Sequence, residues 1–275
     1  MIDQKRLRPA LGAIALLGSG EYLEVMNATD AYLLEQIGGA SSARVVLLPT
    51  ASGREEHGPA YWNGLGKHHF HALGVQEVRA TSIIDRASAT DPAQLALLRD
   101  GNLYYFSGGD PQYVIETMRD SPAWEIIKAA HERGAVLAGS SAGAMALTGY
   151  TIAVKQVLAG EKPTWVESLG VLPHLVVFPH FDRVVNFIDQ AMFQELLSAL
   201  PRNVVAVGID ENTALVRVEV PTSDEPQAKA RWQVMGQQTV RVFERDIAPR
   251  TLQPGAEVMI QDKCAMTAID LFPLM

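Results

Sequence analysis

Short apolar runs alternate with longer amphipathic segments along the first two-thirds of the chain. Residues 13–17, 44–49, 103–106 and 135–138 are short, largely apolar and bounded by Gly, Pro or Ser. That pattern predicts strands buried on both faces. Between them, 30–37, 59–73, 92–99 and 122–133 read as helices. Asp91 before Pro92 and Ser121 before Pro122 place an N-cap ahead of a proline at the first helical position. Strand and helix in this rhythm predict an α/β protein with a mainly parallel sheet covered on both faces.

A further helix at 183–200 leads into a strand at 204–209. Beyond Asn212 the pattern changes, and 213–220, 231–235 and 240–243 read as strands joined by polar or glycine turns. A β-rich, antiparallel addition is expected there, with 221–228, which holds Pro221 and Pro226, as an exposed hairpin loop. No repeat or linker divides the chain. A single domain over residues 1–275 is therefore expected.

Composition narrows the function classes. Hydrophobic residues make up 48% of the 275, enough for a substantial core. The formal net charge is −8, and the one basic cluster is Lys5, Arg6 and Arg8. This argues against a nucleic-acid partner. The single cysteine, Cys264, forms neither an internal disulfide nor a multi-cysteine metal site, which fits a reducing compartment. The apolar stretch 10–17 is short and runs into Gly18-Ser19-Gly20-Glu21, so it reads as a first strand rather than a signal peptide. No segment approaches the ~20 apolar residues of a membrane span. A cytoplasmic protein without a membrane partner is expected.

The strongest chemical signal is Gly139-Ser140-Ser141-Ala142-Gly143, which follows an apolar strand and precedes a helix-compatible segment. In that context Gly-x-Ser-x-Gly describes a tight strand-to-helix turn that lifts the Ser141 hydroxyl above the sheet. The glycines are expected to permit the strained backbone. The Ala142 amide is a natural oxyanion donor. Ser140 is the rival nucleophile, in the variable position of the motif.

A serine nucleophile needs a base, and the base an orienting group. Among seven histidines, His180 stands out, at the end of the apolar run 175–178 and just before a helix. His68, His69 and His71 share a helical stretch without an acidic or thiol partner at ligand spacing, so no metal site is expected there. His57, His131 and His174 have no distinctive surroundings. Asp210 and Glu211 leave the strand 204–209 together, and spacing does not decide which of them meets His180. Ser107-Gly108-Gly109-Asp110, at the end of another strand, presents backbone N–H groups to an oxyanion or a carboxylate.

Taken in order, these elements resemble the serine peptidase family of cyanophycinase and the α-aspartyl dipeptidase peptidase E. The matching pieces are Gly-Ser-Gly-Glu at 18–21, Leu-Leu-Pro-Thr-Ala-Ser at 47–52, Phe-Ser-Gly-Gly-Asp at 106–110, Gly-Ser-Ser-Ala-Gly-Ala at 139–144, His180-Phe181, and Gly-Ile-Asp-Glu-Asn-Thr-Ala-Leu at 208–215. The resemblance implies a three-layer αβα sandwich similar to class I glutamine amidotransferases, with serine in place of their cysteine. It implies a Ser141, His180, Glu211 triad and oxyanion amides from Gly109 and Ala142. The implied activity is amide hydrolysis in small aspartyl-containing peptides, without metal or organic cofactor, and a homodimer is the family's expectation. Two departures touch substrate recognition. Pro111 precedes Gln112 where the family places Gln directly after Gly-Gly-Asp, and Arg183 is followed by Val184-Val185-Asn186 rather than by further arginines. Asp110, Gln112 and Arg183 are the candidate substrate contacts, with Arg183 suited to a carboxylate. An esterase of the ordinary α/β-hydrolase order would need a histidine after its acid, and none follows His180. A glutaminase would need a cysteine nucleophile, and Cys264 lies near the far end. A non-catalytic binding protein with the same pocket is the alternative from another class.

Overall fold

The computed structural model describes residues 11–153, 164–184, 190–220 and 228–261. The basic cluster at Lys5, Arg6 and Arg8, Cys264, and nearly all of the 221–228 loop lie outside these residues.

An eight-stranded sheet runs from edge to edge through β14 (Glu257–Gln261), β11 (Lys229–Gly236), β10 (Thr213–Glu219), β1 (Ile14–Leu17), β5 (Val136–Ser140), β4 (Leu103–Phe106), β2 (Arg44–Leu48) and β3 (Glu77–Ala80). From β1 to β3 every neighbouring pair is parallel. From β1 to β14 every pair is antiparallel. The parallel strands are apolar along their length because helices cover both of their faces. Successive residues of β1 show the two layers directly. Ala15 and Leu17 pack with Leu33 and Leu34 of α1 (Asn27–Glu35) and Phe70 of α2 (Gly58–Ala72). Ile14 and Leu16 join the opposite core with residues of α3 (Pro92–Leu98), α4 (Pro111–Met118), α5 (Pro122–His131) and α6 (Ala142–Leu147). The expected three-layer α/β architecture is therefore present.

The C-terminal β-rich segment is divided between two sheets. β10, β11 and β14 extend the main sheet, whereas β12 (Val240–Phe243) and β13 (Arg250–Leu252) join a four-stranded sheet with β8 (Leu175–Phe178) and β9 (Val205–Ile209), ordered β13-β12-β9-β8. The apolar runs before His180 and Asp210 thus form a parallel pair of their own, outside the main sheet. Val177, Val207 and Val242 send the inner face of this second sheet into the core that holds Ile14 and Leu16. β6 (Tyr150–Ile152) and β7 (Trp165–Glu167) form a separate antiparallel pair. The sequence pattern does not reveal β3, because this edge strand carries Glu77 and Arg79 and is only half-buried. Of the helix expected at 183–200, Phe181–Val184 and Gln190–Ala199 are helical, and residues 185–189 lie outside the described residues. Among the described residues no helix is long and apolar enough to cross a membrane.

Two buried histidines explain themselves only in three dimensions. His69 of α2 donates to Asp30 Oδ2 of α1 at 2.7 Å, so the histidine cluster does have an acidic neighbour, 39 residues away in sequence. Burial raises the Asp30 carboxyl above its ordinary range, against the opposing pull of His69. At the other end of the sheet, His131 Nδ1 donates to Ala135 O at 2.8 Å, and its Nε2 accepts from the buried Arg217 guanidinium at 3.2 Å. Burial, with the Arg217 charge beside it, lowers the His131 pKa to about 4. The unfolded chain binds this proton from about pH 6.5 downward, and the folded chain does not. The stability is therefore complete above about pH 6.5 and falls progressively as pH drops toward 4, by at most on the order of 3 kcal/mol from this group. Urea unfolding at pH 7 and pH 5 measures it. His131→Gln is expected to shrink the difference between the two midpoints, and an unchanged difference would assign the acid sensitivity elsewhere.

Candidate active site

The candidate residues gather where the C-terminal ends of β1, β4 and β5 meet those of β8 and β9. β5 ends at Ser140, α6 starts at Ala142, and Ser141 between them has φ 51° and ψ −113°. A non-glycine residue in this region is strained and persists only when its surroundings hold it there. The Ser141 N–H donates to Leu17 O at 3.0 Å, and its carbonyl accepts the first turn of α6 from Met145 N at 3.1 Å. Neither flanking glycine carries a positive φ. The left-handed backbone falls on Ser141 itself, and the glycines supply room. A Cβ on Gly139 would meet the Gly143 backbone at 2.6 Å, and one on Gly143 would meet Phe106 O at 2.4 Å.

Ser141 Oγ lies 3.0 Å from His180 Nε2, and His180 Nδ1 lies 2.8 Å from Glu211 Oε1. A carboxylate only accepts, so the Nδ1 proton points to Glu211 and Nε2 is left to accept from the Ser141 hydroxyl. His180 also adopts a left-handed backbone, φ 49°, just after β8, and its N–H donates to Gly18 O at 3.3 Å. Glu211 sits where the chain passes from β9 in one sheet to β10 in the other. Its backbone is fixed from several directions. Asp182 Oδ1 accepts its N–H at 3.0 Å, and its carbonyl accepts from Gln238 Nε2 at 3.0 Å and Thr213 Oγ1 at 3.1 Å.

Geometry separates the pairs that spacing left open. Ser140 is fully buried and donates to Glu21 Oε2 at 2.5 Å, away from the imidazole. Asp210 Oδ2 accepts from Thr239 N at 3.1 Å and Thr239 Oγ1 at 2.6 Å, and only Glu211 reaches His180.

Gly108 and Gly109 run directly beside the serine. A Cβ on Gly108 would lie 3.4 Å from Ser141 Cβ. Gly109 has φ 142° and passes so close to Ala51 that a Cβ would meet Ala51 O at 2.4 Å. Among the described residues neither the Gly109 nor the Ala142 N–H donates to a protein carbonyl. Asp110 is the N-cap of α4, accepting from Tyr113 N at 3.2 Å, and Gln112 is half-buried in the first turn of that helix. Arg183 directs Nη2 to Glu211 Oε2 at 2.7 Å, while its side chain remains 67% exposed. The site residues that sequence reasoning missed are Glu21, Asp182, Gln238 and Thr239. Their contacts join residues far apart in sequence, and only the Gly-Ser-Gly-Glu motif hinted at one of them.

Fold and constellation together define an α/β protein with a Ser–His–carboxylate set at its strand ends. The sequence pattern of peptidase family S51 matches residues 14–221, and the chain belongs to that family. It is 30% identical over 186 residues to a cyanophycinase of Trichormus variabilis, covering 65% of this chain and 58% of the relative. It is 31% identical over 182 residues to a cyanophycinase of Synechococcus elongatus, covering 65% and 54%. The match thus spans less than two-thirds of those relatives' length. A peptidase from an acI-B1 Actinobacterium superposes with a TM-score of 0.77 at 30% identity, over 92% of this chain and 98% of that one. A putative peptidase E protein from Listeria monocytogenes shares the fold, with a TM-score of 0.53 at 20% identity over 75% and 94%.

The junction depends on close backbone contact, which gives a direct test. A Cβ on Gly18 would sit 2.1 Å from Asp210 O, between groups that cannot swing away. Gly18→Ala is expected to destabilise the protein by about 1–3 kcal/mol. A thermal midpoint equal to that of the native chain would show that β1 and the 210–212 turn do not pack as described.

Proposed function

We propose that this protein is a serine peptidase that hydrolyses amide bonds in small aspartyl-containing peptides, with Ser141 as nucleophile, His180 as general base and acid, and Glu211 as the orienting carboxylate. The observation that carries this reading is the unbroken line of contacts from Ser141 Oγ through His180 to Glu211, centred on a strained serine at a strand-to-helix turn. Family membership supports the peptidase class, and the cyanophycinase relatives support an aspartyl-containing substrate.

In the proposed reaction Ser141 Oγ attacks the scissile carbonyl as its proton passes to His180 Nε2. The imidazolium gains from the Glu211 carboxylate beside Nδ1. The carbonyl oxygen, now an oxyanion, is met by the Gly109 and Ala142 N–H groups, which a nucleophile-elbow geometry presents without rearrangement. The tetrahedral species collapses, the C–N bond breaks, and Nε2 returns the proton to the leaving amine. Water then attacks the acyl-enzyme by the same route, releasing the acid and restoring Ser141. Arg183 steadies Glu211 and keeps further guanidinium N–H donors exposed at the rim, where a substrate carboxylate is recognised.

A panel of α-Asp-X dipeptides, β-Asp-Arg, β-Asp-Lys and neutral dipeptides tests the reading, with Ser141→Ala as control. Selective release from one aspartyl class is expected, with Ser141→Ala and His180→Ala each lowering turnover by about 10³-fold or more. Mild losses in both variants would sink the triad. Arg183→Ala is expected to raise KM for acidic substrates far more than for neutral ones. Equal changes for both would remove it from recognition.

A further inference from the structure

Glu21 takes no part in the proposed triad, yet it is buried at the same strand ends, 5% exposed. A carboxylate there is costly unless its oxygens find donors. Oε1 accepts the Gly108 N–H at 2.9 Å, and Oε2 accepts the Ser140 hydroxyl at 2.5 Å. These donors come from different strand ends, Gly108 after β4 and Ser140 at the end of β5. Each adjoins a residue that the proposed chemistry uses: Gly109 follows Gly108, and Ser141 follows Ser140. The fit is close, since a Cβ on Gly108 would lie 3.1 Å from Glu21 Oε1 and 3.4 Å from Ser141 Cβ.

The clamp is itself held. Glu21 follows Gly20, φ 85°, and precedes Tyr22, which has φ 66° and is buried among aromatic rings. The Tyr22 ring lies 4.9 Å from Tyr105 and 6.2 Å from Phe70, centroid to centroid. A buried carboxylate is a poor way to fill space, because an apolar side chain of similar volume avoids its desolvation cost. Its advantage here is directional: two oxygens on one rigid group fix two backbones at one separation.

We propose that Glu21 is a positioning residue that holds the Gly108–Gly109 segment and the Ser140–Ser141 turn at the spacing the oxyanion requires. The proposal rests on the Ser141 reading above. Oxyanion donors act through being set in advance, and a displacement of about 1 Å near a reacting centre costs on the order of 10²-fold in rate.

The test uses the full chain and a fluorophosphonate probe, whose concentration dependence separates the maximal acylation rate from the apparent affinity. Amide hydrogen exchange at residues 107–110 is followed alongside. Glu21→Ala is expected to lower the maximal rate by about 10–100-fold with affinity within about threefold, and to speed exchange at 107–110 selectively. Glu21→Gln is expected to stay within about threefold of the native rate. Its amide oxygen still accepts from Gly108, and its amide N–H donates to Ser140 Oγ. A native acylation rate in Glu21→Ala overturns the proposal, as does unchanged exchange at 107–110. Equal losses in the Gln and Ala variants also overturn it, because they would mean that hydrogen-bonded positioning is not what Glu21 supplies. Should Glu21→Ala not fold, Ser140→Ala removes one of the two contacts, and a rate lowered by about 3–10-fold is expected. A native rate in that variant overturns the clamp. If the native chain shows no acylation at Ser141, the peptidase reading fails, and the exchange comparison still decides whether Glu21 joins the two segments.

Discussion

Two consecutive carbonyls at the end of β1 anchor the site. Leu17 O accepts the Ser141 N–H, and Gly18 O accepts the His180 N–H. The proposed nucleophile and base thus hang from one strand end, although they lie 39 residues apart in sequence. Gly18 N in turn donates to Thr213 O at 2.9 Å, which ties in the segment carrying Glu211. β1 can serve three partners because its strand neighbours differ in direction, parallel β5 on one side and antiparallel β10 on the other. The connection requires backbone to touch backbone, and a side chain at Gly18 would collide with Asp210 O.

Strain is concentrated at the same strand ends. Among the described residues seven non-glycine positions have positive φ, and Tyr22, Ser141, His180 and Asn212 all lie at this junction. The other three are Asp100, Asp120 and Asp246, a residue type that tolerates the left-handed region in ordinary turns. Serine and tyrosine have less excuse, and each such conformation costs roughly 1–3 kcal/mol. The surrounding core offsets that cost. Ala142, Ala144 and Ala146 of α6 are completely or almost completely buried, so the helix after Ser141 cannot relax outward.

The division of the β-strands into two sheets also serves the site. Ser141 stands on the main sheet, His180 follows the second sheet, and Glu211 lies on the passage between them. An imidazole placed across such a seam meets a serine on one side and a carboxylate on the other. Arg183 adds a fixed positive charge on the far oxygen of Glu211, and Asp182 holds the Glu211 backbone. Consecutive residues after His180 therefore brace the carboxylate that faces it.

The sequence by itself determined the central strands, most of the helices between them and the chemistry of the strand ends. Continuous apolar runs at 14–17, 45–48, 103–106 and 136–138 can only be satisfied by burial on both faces. Pro92, Pro111 and Pro122 behind side-chain caps fix helix starts locally. Ser141 between Gly139 and Gly143 was legible because that turn is local. Spacing left Asp210 and Glu211 open, and the tertiary structure put Glu211 against His180, turned Ser140 away from the imidazole, paired His69 with Asp30, and drew β8 and β9 into a second sheet with β12 and β13. It also gave Glu21 its two donors, 87 and 119 residues distant. The physical reason is the range of the forces involved. Periodicity, capping and turn strain act within a few residues, whereas a carboxylate's partner is whatever donor the packed sheets bring within 3 Å.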